Sequence, residues 1–523
     1  MHLKNKILRP TLAVMGLFFA GCAGQGGSSY TPVSVGYNNG NGINNLPEIV
    51  HLTPSEPASL DFHIGMDIVS AELTRQLFEQ LVVFDDNGNI VPHLAESFEM
   101  IDELTWEFRI RQGVYFHDGT PLNADAVRIN VERILDPNFA SPRVFIMDMI
   151  ERVEVVDNYT VRKITYFPFV PLPNNIVHSG SLISPAAIEL ERNGGPTVAE
   201  NPVGTGPFRF YSRIHGEEIR LVSNENYWRG APDVNLTVRI IPDNATRMAL
   251  LETGQAHTMR LVTSDAVYLQ QDPNIDVHVI DSTQLIFLGF NHNVTPFDDI
   301  RVRQAITMAI NKDDILYGIL DGFGTIAHGP VSPVVFGGEA VLDTLPLDVE
   351  AARQLMIDAG FEDGFDTSIL VAEGNLINAM IAEYIQASLA QIGIRVSIES
   401  LIWASFLEHT AAGNHQMFIN GWSTTTGDAD YAIHALFHSS VPAGSGNRSF
   451  YANPELDYLL DIGRASPDMD FRRELYATAQ QLLVDDAAKV FLYFPAIPFA
   501  KNGVGNVWLD FSAIPHFWDA YFK

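Results

Sequence analysis

A chain of 523 residues is too long for one compact core, so we expect two or three lobes. Its hydrophobic fraction of 46% is ample for folded cores and argues against a disordered protein. The formal net charge of −31 would repel nucleic acids and anionic lipid headgroups, so the composition argues against both as partners.

The first residues have a pattern typical of an export signal. Lys4, Lys6 and Arg9 precede an apolar run over 12–20, which is too short to span a bilayer as a mature helix. We therefore predict a removable signal peptide over residues 1–21.

Cys22 is the only cysteine, so it cannot form an intramolecular disulfide. The sequence Phe19-Ala-Gly-Cys22 resembles a bacterial lipobox, in which the cysteine is lipid-modified, although Phe19 stands where leucine is usual. The resemblance implies a membrane-anchored lipoprotein on the extracytoplasmic face, in a periplasm or on the cell surface; simple secretion is the alternative. Residues 22–46 are rich in glycine, serine and asparagine, which predicts a flexible tether.

The first half of the folded body mixes strands and helices. Helical spacing of apolar residues predicts helices over 71–81 and 123–135, and Asp243 is expected to cap a third helix that reaches Leu251. Asn87-Gly88 predicts a hairpin between two short strands. Further strands are predicted over 106–110, 153–156, 161–166 and 236–241.

From Gln284 onward, strands alternate with helices. This rhythm implies right-handed βαβ crossovers, a largely parallel sheet and a separate α/β lobe. The chain would cross between lobes near Phe290 and Pro495, leaving a cleft that a hinge can close on a ligand. The predicted strands are 285–290, 367–372, 394–398 and 417–422, and the predicted helices are 300–320, 349–359, 376–391 and 404–412.

One stretch of this lobe, residues 416–437, is the candidate ligand site. It reads as a buried strand ending at Trp422, a polar loop over 423–427, and a helix capped by Asp428 or Asp430. Small-molecule sites in open α/β sheets lie at such turns, beside the carboxyl ends of the strands. The alternative is a solvent-facing connection whose threonines and aspartates serve only turn chemistry.

Seven short stretches, taken in their order along the chain, resemble one family, the family 5 solute-binding proteins of bacterial ABC importers. That family serves the uptake of peptides, glutathione and nickel. The matching stretches are Pro92-His-Leu-Ala-Glu-Ser97, Trp106-Glu-Phe-Arg-Ile-Arg-Gln-Gly-Val-Tyr-Phe-His-Asp-Gly-Thr-Pro-Leu-Asn-Ala-Asp125, Pro202-Val-Gly-Thr-Gly-Pro-Phe208, Asn226-Tyr-Trp228, Phe290-Asn291, Pro296-Phe-Asp-Asp-Ile-Arg-Val-Arg-Gln-Ala-Ile306 and Ala309-Ile-Asn-Lys312.

The resemblance implies an α/β fold of the two-lobed periplasmic-binding-protein type. It implies the large, type II-like form, with a hinged cleft and an extra subdomain in the first lobe. Permease and ATPase subunits would be the partners, and we expect the chain itself to be a monomer. With these expectations, the first lobe is assigned to 47–70, 204–285 and 496–523, its subdomain to 71–203, and the second lobe to 286–495.

The ligand is expected to be glutathione or a short peptide. Peptide-binding members of the family often carry an acidic residue three positions after the tryptophan of this loop, where this chain has Thr425. The loop over 421–430 looks most like the glutathione-binding branch, as do 243–256 and 447–453. A binder specific for di- or oligopeptides is the alternative.

Glutathione carries two carboxylates and one ammonium, so its binder needs a cation, ideally arginine. Arg448 is the candidate anchor, and its alternative is a surface arginine on a loop. Asp428 or Asp430 would receive the ammonium, the threonines and Asn447 would bond the peptide groups, and Trp422 would form a wall of the cleft. The predicted ligand-binding residues are Trp422, Thr424, Thr425, Thr426, Asp428, Asp430, Asn447 and Arg448.

We expect no metal, no cofactor and no catalysis. His434 and His438 are four residues apart on one helix, a spacing that can bind a metal, but no third ligand follows at a recognisable spacing. An ordinary helix is therefore favoured, and nickel complexes or haem remain minor alternatives. Nucleophile elbows, zinc-protease motifs, phosphate-binding glycine loops and metal-binding cysteines are absent from the sequence. The acidic pair Asp428 and Asp430 would suit a glycosidase, but capping explains it first.

Overall fold

The computed structural model describes residues 44–85 and 88–523. The predicted signal peptide, Cys22, all but the last residues of the tether, and Asn87 of the predicted hairpin lie outside these residues. Over the described ranges, every helix is too short or too polar to cross a membrane.

Most of the helices begin where a side chain caps the first turn. Asn123 accepts a hydrogen bond from Ala126 N at 2.9 Å. Asp243 accepts one from Thr246 N at 2.8 Å, as predicted. The helices of the described residues are α1 (Ile68–Leu77), α2 (Ala124–Leu135), α3 (Val144–Met147), α4 (Leu172–Ser179), α5 (Pro185–Arg192), α6 (Asn244–Glu252), α7 (Thr263–Leu269), α8 (Ile300–Ala309), α9 (Lys312–Gly318), α10 (Val349–Asp358), α11 (Leu376–Ala390), α12 (Trp403–Ala411), α13 (Ala429–Phe437), α14 (Pro454–Ala465) and α15 (Met469–Asp485), with a 3-10 helix at Ala443–Ser445.

The single helix predicted over 300–320 is wrong, because the chain forms α8 and α9 with a break between them. Ile310 has an extended backbone, with φ −102° and ψ 115°, and ends α8. Asn311 then accepts a hydrogen bond from Asp313 N at 3.1 Å and starts α9. The spacing of the apolar residues alone predicts one helix, but the second cap, Asn311, divides it into α8 and α9.

The strands form one large sheet and several small ones. They are β1 (Glu48–Thr53), β2 (Val82–Phe84), β3 (Ile90–Pro92), β4 (Ala95–Asp102), β5 (Thr105–Ile110), β6 (Ile150–Asp157), β7 (Thr160–Thr165), β8 (Phe208–Ile214), β9 (Glu218–Ser223), β10 (Asn235–Ile240), β11 (Thr258–Arg260), β12 (Ile275–Asp281), β13 (Gln284–Phe290), β14 (Gly324–Ile326), β15 (Phe365–Ala372), β16 (Ile394–Leu401), β17 (Met417–Ser423), β18 (Lys489–Asn502), β19 (Val504–Gly505), β20 (Trp508–Leu509), β21 (Pro515–His516) and β22 (Tyr521–Phe522).

The large sheet runs through both lobes in the order β16-β15-β17-β13-β18-β11-β1-β10-β9-β8, and β12 and β14 also pair with β18. The long strand β18 joins the two halves. Up to Pro495 it pairs with β13 and β14, and from Ala496 it pairs with β12 and β11. The step from β12 to β13 is the second crossing, so two chain segments connect the lobes.

The second-lobe sheet is mixed, not largely parallel as predicted. Strand β15 is parallel to β16 and β17, but β13 is antiparallel to β17 and to β18. Strand β13 carries the chain into the second lobe and β18 carries it out. Their directions are therefore set by the crossings, whereas the parallel strands belong to βαβ units.

Both faces of β13 are buried, which explains its continuous run of apolar residues. Leu285 and Phe287 belong to a core that includes residues of α13 and α15. Ile286, Leu288 and Phe290 face the other core, which includes residues of α8 and α11. Each of these five side chains is at most 8% exposed. The sheet thus divides the interior of the second lobe into two layers.

The predicted subdomain over 71–203 contains a four-stranded antiparallel sheet in the order β4-β5-β7-β6. Its core is continuous with that of the first lobe, because Phe108 and Val127 share one apolar cluster with Leu236 and Phe499. Residues of the predicted subdomain and of the predicted first lobe therefore share one apolar core.

Candidate ligand-binding site

The loop Thr424–Asp428 connects β17 to α13 at the edge between the lobes. Gly427 N donates to Thr424 O at 3.1 Å and closes the turn. Gly427 has a φ of +67°, a left-handed conformation that glycine adopts at little cost. Thr424 N donates to Thr283 O at 3.1 Å. Because Thr283 lies between β12 and β13, the loop is tied to a point where the chain passes between the lobes.

The same loop contacts the first lobe and its subdomain. Asn174 Nδ2 donates to Thr426 O at 2.9 Å. A Cβ atom at Gly427 would stand 2.7 Å from Phe84 Cζ and 3.2 Å from Phe511 Cε1. A larger residue at position 427 would therefore collide with the opposite side, and the two lobes meet at this loop.

Two buried polar atoms beside this contact lack a hydrogen-bond partner among the described residues. They are the indole nitrogen of Trp422 and the hydroxyl of Thr426. Thr426 is fully buried, and the Trp422 ring lies 5.4 Å from the ring of Tyr431. An unpaired buried polar group costs roughly 1–3 kcal/mol. A ligand that supplies the missing partners would remove that cost.

The other two threonines of the loop are held by the protein. Thr424 is buried and its backbone is bonded to the crossing segment. Thr425 is half-buried, and its side chain bonds to Tyr431. Burial raises the pKa of Tyr431, and the bond with Thr425 works against that rise. These two residues shape the loop on which Thr426 stands.

Asp428 is paired with an arginine of α15. Its carboxylate is 1% exposed, and Arg472 Nη2 lies 2.8 Å and 2.9 Å from its two oxygens. Burial raises the pKa of Asp428, and the charge of Arg472 works against that rise. Asp428 also accepts a hydrogen bond from Asp430 N at 3.0 Å, which caps α13 as predicted. A ligand ammonium would therefore compete with Arg472 for this carboxylate.

Asp430 is paired in the same way with an arginine of α14. Arg464 Nε and Nη2 donate to its two oxygens at 3.1 Å and 3.0 Å. Burial alone would raise the pKa of Asp430, but Arg464 and His434 leave it lowered. Arg464 also reaches the subdomain, because its carbonyl accepts from Val170 N at 2.8 Å and its guanidinium lies 5.4 Å from the ring of Phe169. This ion pair is thus part of the contact between the lobes.

Arg448 is held by polar atoms of its own lobe. Its Nη1 donates to Leu407 O at 2.7 Å and to Thr410 Oγ1 at 2.8 Å, and its Nη2 donates to Gly444 O at 3.2 Å. These acceptors belong to α12 and to the neighbouring 3-10 helix. Burial lowers the pKa of Arg448. The guanidinium therefore serves to join two segments of the second lobe.

Asn447 stands in the turn that follows α13. Its Nδ2 donates to His438 O at 3.3 Å and to Tyr451 O at 2.8 Å, and its Oδ1 accepts from Tyr451 N at 3.2 Å. Helix α13 has nine residues, so it separates this turn from the Thr424–Asp428 loop by about 13 Å. The structure thus brings Trp422 together with residues 424–430, but it leaves Asn447 and Arg448 at the other end of α13.

His434, His438 and Asp461 come together on α13 and α14, with ligand atoms that all lie within 4.8 Å of one another. Asp461 escaped the sequence analysis because it comes from a different helix. Arg464 Nη1 donates to His434 Nε2 at 2.8 Å, and Ser440 N donates to His438 Nδ1 at 3.1 Å. Burial, aided by Arg464, lowers the pKa of His434 to about 3. Each histidine therefore accepts a hydrogen bond from the protein through one ring nitrogen.

The chain forms two lobes that share one sheet and are joined by two crossings. A loop with unpartnered polar atoms lies where the lobes meet. This arrangement is typical of two-lobed ligand-binding proteins. The model of the bacterial extracellular solute-binding proteins, family 5 Middle, matches residues 89–443. The chain therefore belongs to the family 5 bacterial extracellular solute-binding proteins. The family and the two-lobed fold expected from the sequence are confirmed.

Known relatives and solved structures are similar over most of the chain. The glutathione-binding protein GsiB of Pectobacterium atrosepticum is 31% identical over 448 residues, which cover 83% of this chain and 86% of that protein. HbpA2 from Haemophilus parasuis superposes with a TM-score of 0.83 at 27% identity, covering 91% of this chain and 100% of that one. The ABC transporter-associated periplasmic binding protein DppA from Helicobacter pylori, in complex with the peptide STSA, gives 0.78 at 29% identity, covering 91% and 98%.

Proposed function

We propose that this chain is the substrate-binding subunit of an ABC importer. It captures glutathione or a short peptide between its lobes and delivers the ligand to a membrane permease that is driven by ATPase subunits. The observation that carries the proposal is the pair of unpartnered polar atoms, Trp422 Nε1 and Thr426 Oγ1, at the contact between the lobes. The choice of glutathione is supported by the name of the GsiB relatives.

The loop is suited to a ligand with peptide groups. The indole nitrogen of Trp422 can only donate, so it needs an acceptor such as a peptide carbonyl. The hydroxyl of Thr426 can accept or donate, so it suits either side of a peptide bond. The rings of Trp422 and Tyr431 offer an apolar wall. In this proposal Asp428 and Asp430 hold α13 in place, since each already has an arginine partner.

Capture works by closure of the lobes. The bond from Asn174 to Thr426 O and the packing of Gly427 against Phe84 and Phe511 belong to the closed arrangement. A ligand that bonds both lobes favours this arrangement by its difference in affinity for the closed and open states. The permease would then receive the closed, loaded protein.

The proposed setting is the extracytoplasmic face of a membrane. Residues 1–21 would direct export, Cys22 would carry the lipid, and residues 22–46 would hold the folded body away from the bilayer. The protein would act as a monomer and release its ligand unchanged. Palmitate labelling of cells that produce the full chain should mark the wild type and not Cys22→Ala; equal labelling of both would overturn the lipid anchor.

A binder of di- or oligopeptides is the second candidate. The similarity to DppA, whose solved structure contains the peptide STSA, favours it. It differs from the first candidate in the ligand and not in the mechanism, because the same two atoms would bond to the peptide backbone.

Calorimetric titration of the purified full chain with glutathione, di- to pentapeptides and Ni²⁺ tests the proposal. We expect binding of glutathione near the micromolar range, which corresponds to about −8 kcal/mol. Binding of a peptide without any heat from glutathione would replace the first candidate by the second. No heat from any of these ligands would overturn the proposed function. If the ligand recovered after binding were chemically altered, the proposal that the protein releases its ligand unchanged would be contradicted.

A further inference from the structure

Two arginines of the predicted subdomain of the first lobe flank a single aromatic ring. The guanidinium of Arg143 lies 4.0 Å from the ring centroid of Phe62, and that of Arg75 lies 5.4 Å from the same centroid. Phe62 is 1% exposed. The two like charges repel each other, and this repulsion contributes to lowering the pKa of Arg143. This concentration of positive charge stands in a chain whose net charge is −31.

Arg143 is committed to the protein interior. It is 3% exposed, and it donates to the backbone carbonyls of Phe62, Gly65 and His178. Burial, reinforced by the charge of Arg75, lowers the pKa of Arg143 to about 9. Its guanidinium is therefore structural, with its hydrogen bonds directed at the backbone around Phe62.

Arg75 is less fully engaged. Its side chain is half-buried, and its Nη2 donates to Val177 O at 2.9 Å. Among the described residues, no carboxylate oxygen lies within 4.0 Å of its guanidinium. Burial lowers the pKa of Arg75, and the more distant Asp510 works against that change. Guanidinium groups match carboxylates through pairs of parallel hydrogen bonds, and Arg75 lacks such a partner.

The acid whose charge influences Arg75, Asp510, is itself occupied. Asp510 Oδ1 accepts from Ser512 N at 2.8 Å and from Ile514 N at 3.0 Å. His516 Nε2 lies 3.1 Å from Asp510 Oδ2. The carboxylate of Asp510 therefore holds its own turn together, and Arg75 keeps donor groups for another acid.

Arg75 lies between the two segments that touch the Thr424–Asp428 loop. Its acceptor Val177 is on α4, the helix whose Asn174 bonds to Thr426 O. Its other neighbour, Asp510, directly precedes Phe511, whose ring would meet a Cβ atom at Gly427 at 3.2 Å. The unpaired guanidinium thus stands on the first-lobe side of the same lobe contact.

We propose that Arg75 binds a carboxylate of the captured ligand. The first lobe then supplies the cation, and Trp422 and Thr426 of the second lobe bond to the peptide groups. This inference rests on the proposed function and narrows its ligand class to acids that carry peptide bonds. It also replaces Arg448 as the anchor, because Arg448 is bonded to its own lobe at the far end of α13.

The test is calorimetry on the purified full chain with two matched probe pairs. One pair is glutathione and its diamide, and the other is the peptide STSA with a free or an amidated carboxyl end. For the pair that binds, we expect Arg75→Gln to weaken the free acid about 10- to 100-fold, because charge-assisted hydrogen bonds are lost. The amide should bind the wild type correspondingly less well and lose little more on Arg75→Gln. Arg75→Lys should retain part of the affinity, and the exposed Arg353→Gln on α10 should match the wild type.

The outcomes separate this inference from the proposed function. If the wild type binds a free acid and Arg75→Gln binds it equally well, the inference is overturned and the function stands. If the wild type binds none of the four probes, the inference is overturned, and the function fails with it only if the di- to pentapeptides of the first titration do not bind either. Should Arg75→Gln not fold, as judged by its melting curve, the probes decide: a loss of less than twofold on amidation of the ligand overturns the inference.

Discussion

At its amino-terminal end, helix α13 meets the first lobe through the Thr424–Asp428 loop, whereas Asn447 and Arg448, beyond its carboxyl-terminal end, bond to segments of their own lobe. Both ends are rich in polar groups, but they are satisfied differently. The first end leaves Trp422 Nε1 and Thr426 Oγ1 without partners in the described chain, while the second end bonds Asn447 and Arg448 to local acceptors. Polar composition alone therefore does not distinguish the two ends; the unpaired groups at the lobe contact do, and they support the ligand site proposed at the first end.

The largest effect that this contrast predicts is at the buried pair of the first end. Arg472→Met would leave the carboxylate of Asp428 buried and unpaired, so we expect the free energy of unfolding to fall by about 3–5 kcal/mol in urea denaturation. The neighbouring Arg473 forms exposed pairs, and Arg473→Met should cost about 1 kcal/mol or less. Equal losses in the two variants would contradict the role assigned to the pair.

Two threonines allow a matched comparison: Thr426 in the loop before α13, and Thr410 on α12 beside Arg448. Thr426→Val removes an unpartnered hydroxyl, so we expect a 5- to 30-fold loss of ligand affinity, or about 1–2 kcal/mol, with no loss of stability. Thr410→Val removes a hydroxyl that donates to Phe406 O at 2.8 Å and accepts from Arg448, so it should lower stability by about 1–2 kcal/mol. Calorimetry of ligand binding and urea denaturation, carried out on both variants, test whether the first loses affinity and the second loses stability. Unchanged affinity in Thr426→Val would take that hydroxyl out of the site.

A third experiment asks directly whether the second end binds ligand. Arg448→Met breaks three hydrogen bonds within the second lobe, and we expect the free energy of unfolding to fall by about 1–2 kcal/mol. Ligand affinity, measured by calorimetry on the folded variant, should stay within about twofold of the wild type. A tenfold loss would return Arg448 to the ligand site and remove the distinction between the two ends.

The effect that is smallest at neutral pH concerns acid. Burial lowers the pKa of His434 to about 3, below its ordinary value near 6.5, so the folded state binds fewer protons between these values. The contribution of His434 is complete above about pH 6.5 and is lost progressively as the pH falls toward 3. His434→Gln should reduce the slope of stability against pH in this window by up to about 1 kcal/mol per pH unit. The exposed His409→Gln serves as the control, and an unchanged slope in His434→Gln would refute the assignment.

Local signals predicted much of the fold. The predicted caps at Asp243 and Asp428 are short-range hydrogen bonds, and they mark the helix starts correctly. The run over 285–290 is a strand as predicted, but its direction was not readable because the crossings set it. The division between α8 and α9 depended on Asn311, a cap inside an otherwise helical pattern.

Only part of the candidate site could be predicted from the sequence. The Thr424–Asp428 loop was found because a polar turn after a buried strand is a local pattern. The arginines that pair with Asp428 and Asp430 come from α15 and α14. Ion pairs between residues so far apart in the sequence leave no local signal. Arg75 reads in the sequence as an ordinary helix position. Arg75 is of interest because no carboxylate of the described residues pairs with it, and only the folded structure shows this.

The shared strand β18 has a consequence for the order of folding. It contributes residues 489–495 to one half of the large sheet and residues 496–502 to the other. Neither half can complete its sheet until synthesis has passed residue 502. For a chain that is exported as proposed, this delay is useful. The polypeptide would stay incompletely folded while it is still being made, in a form that can be threaded through a translocation channel, and both lobes would finish together on the far side.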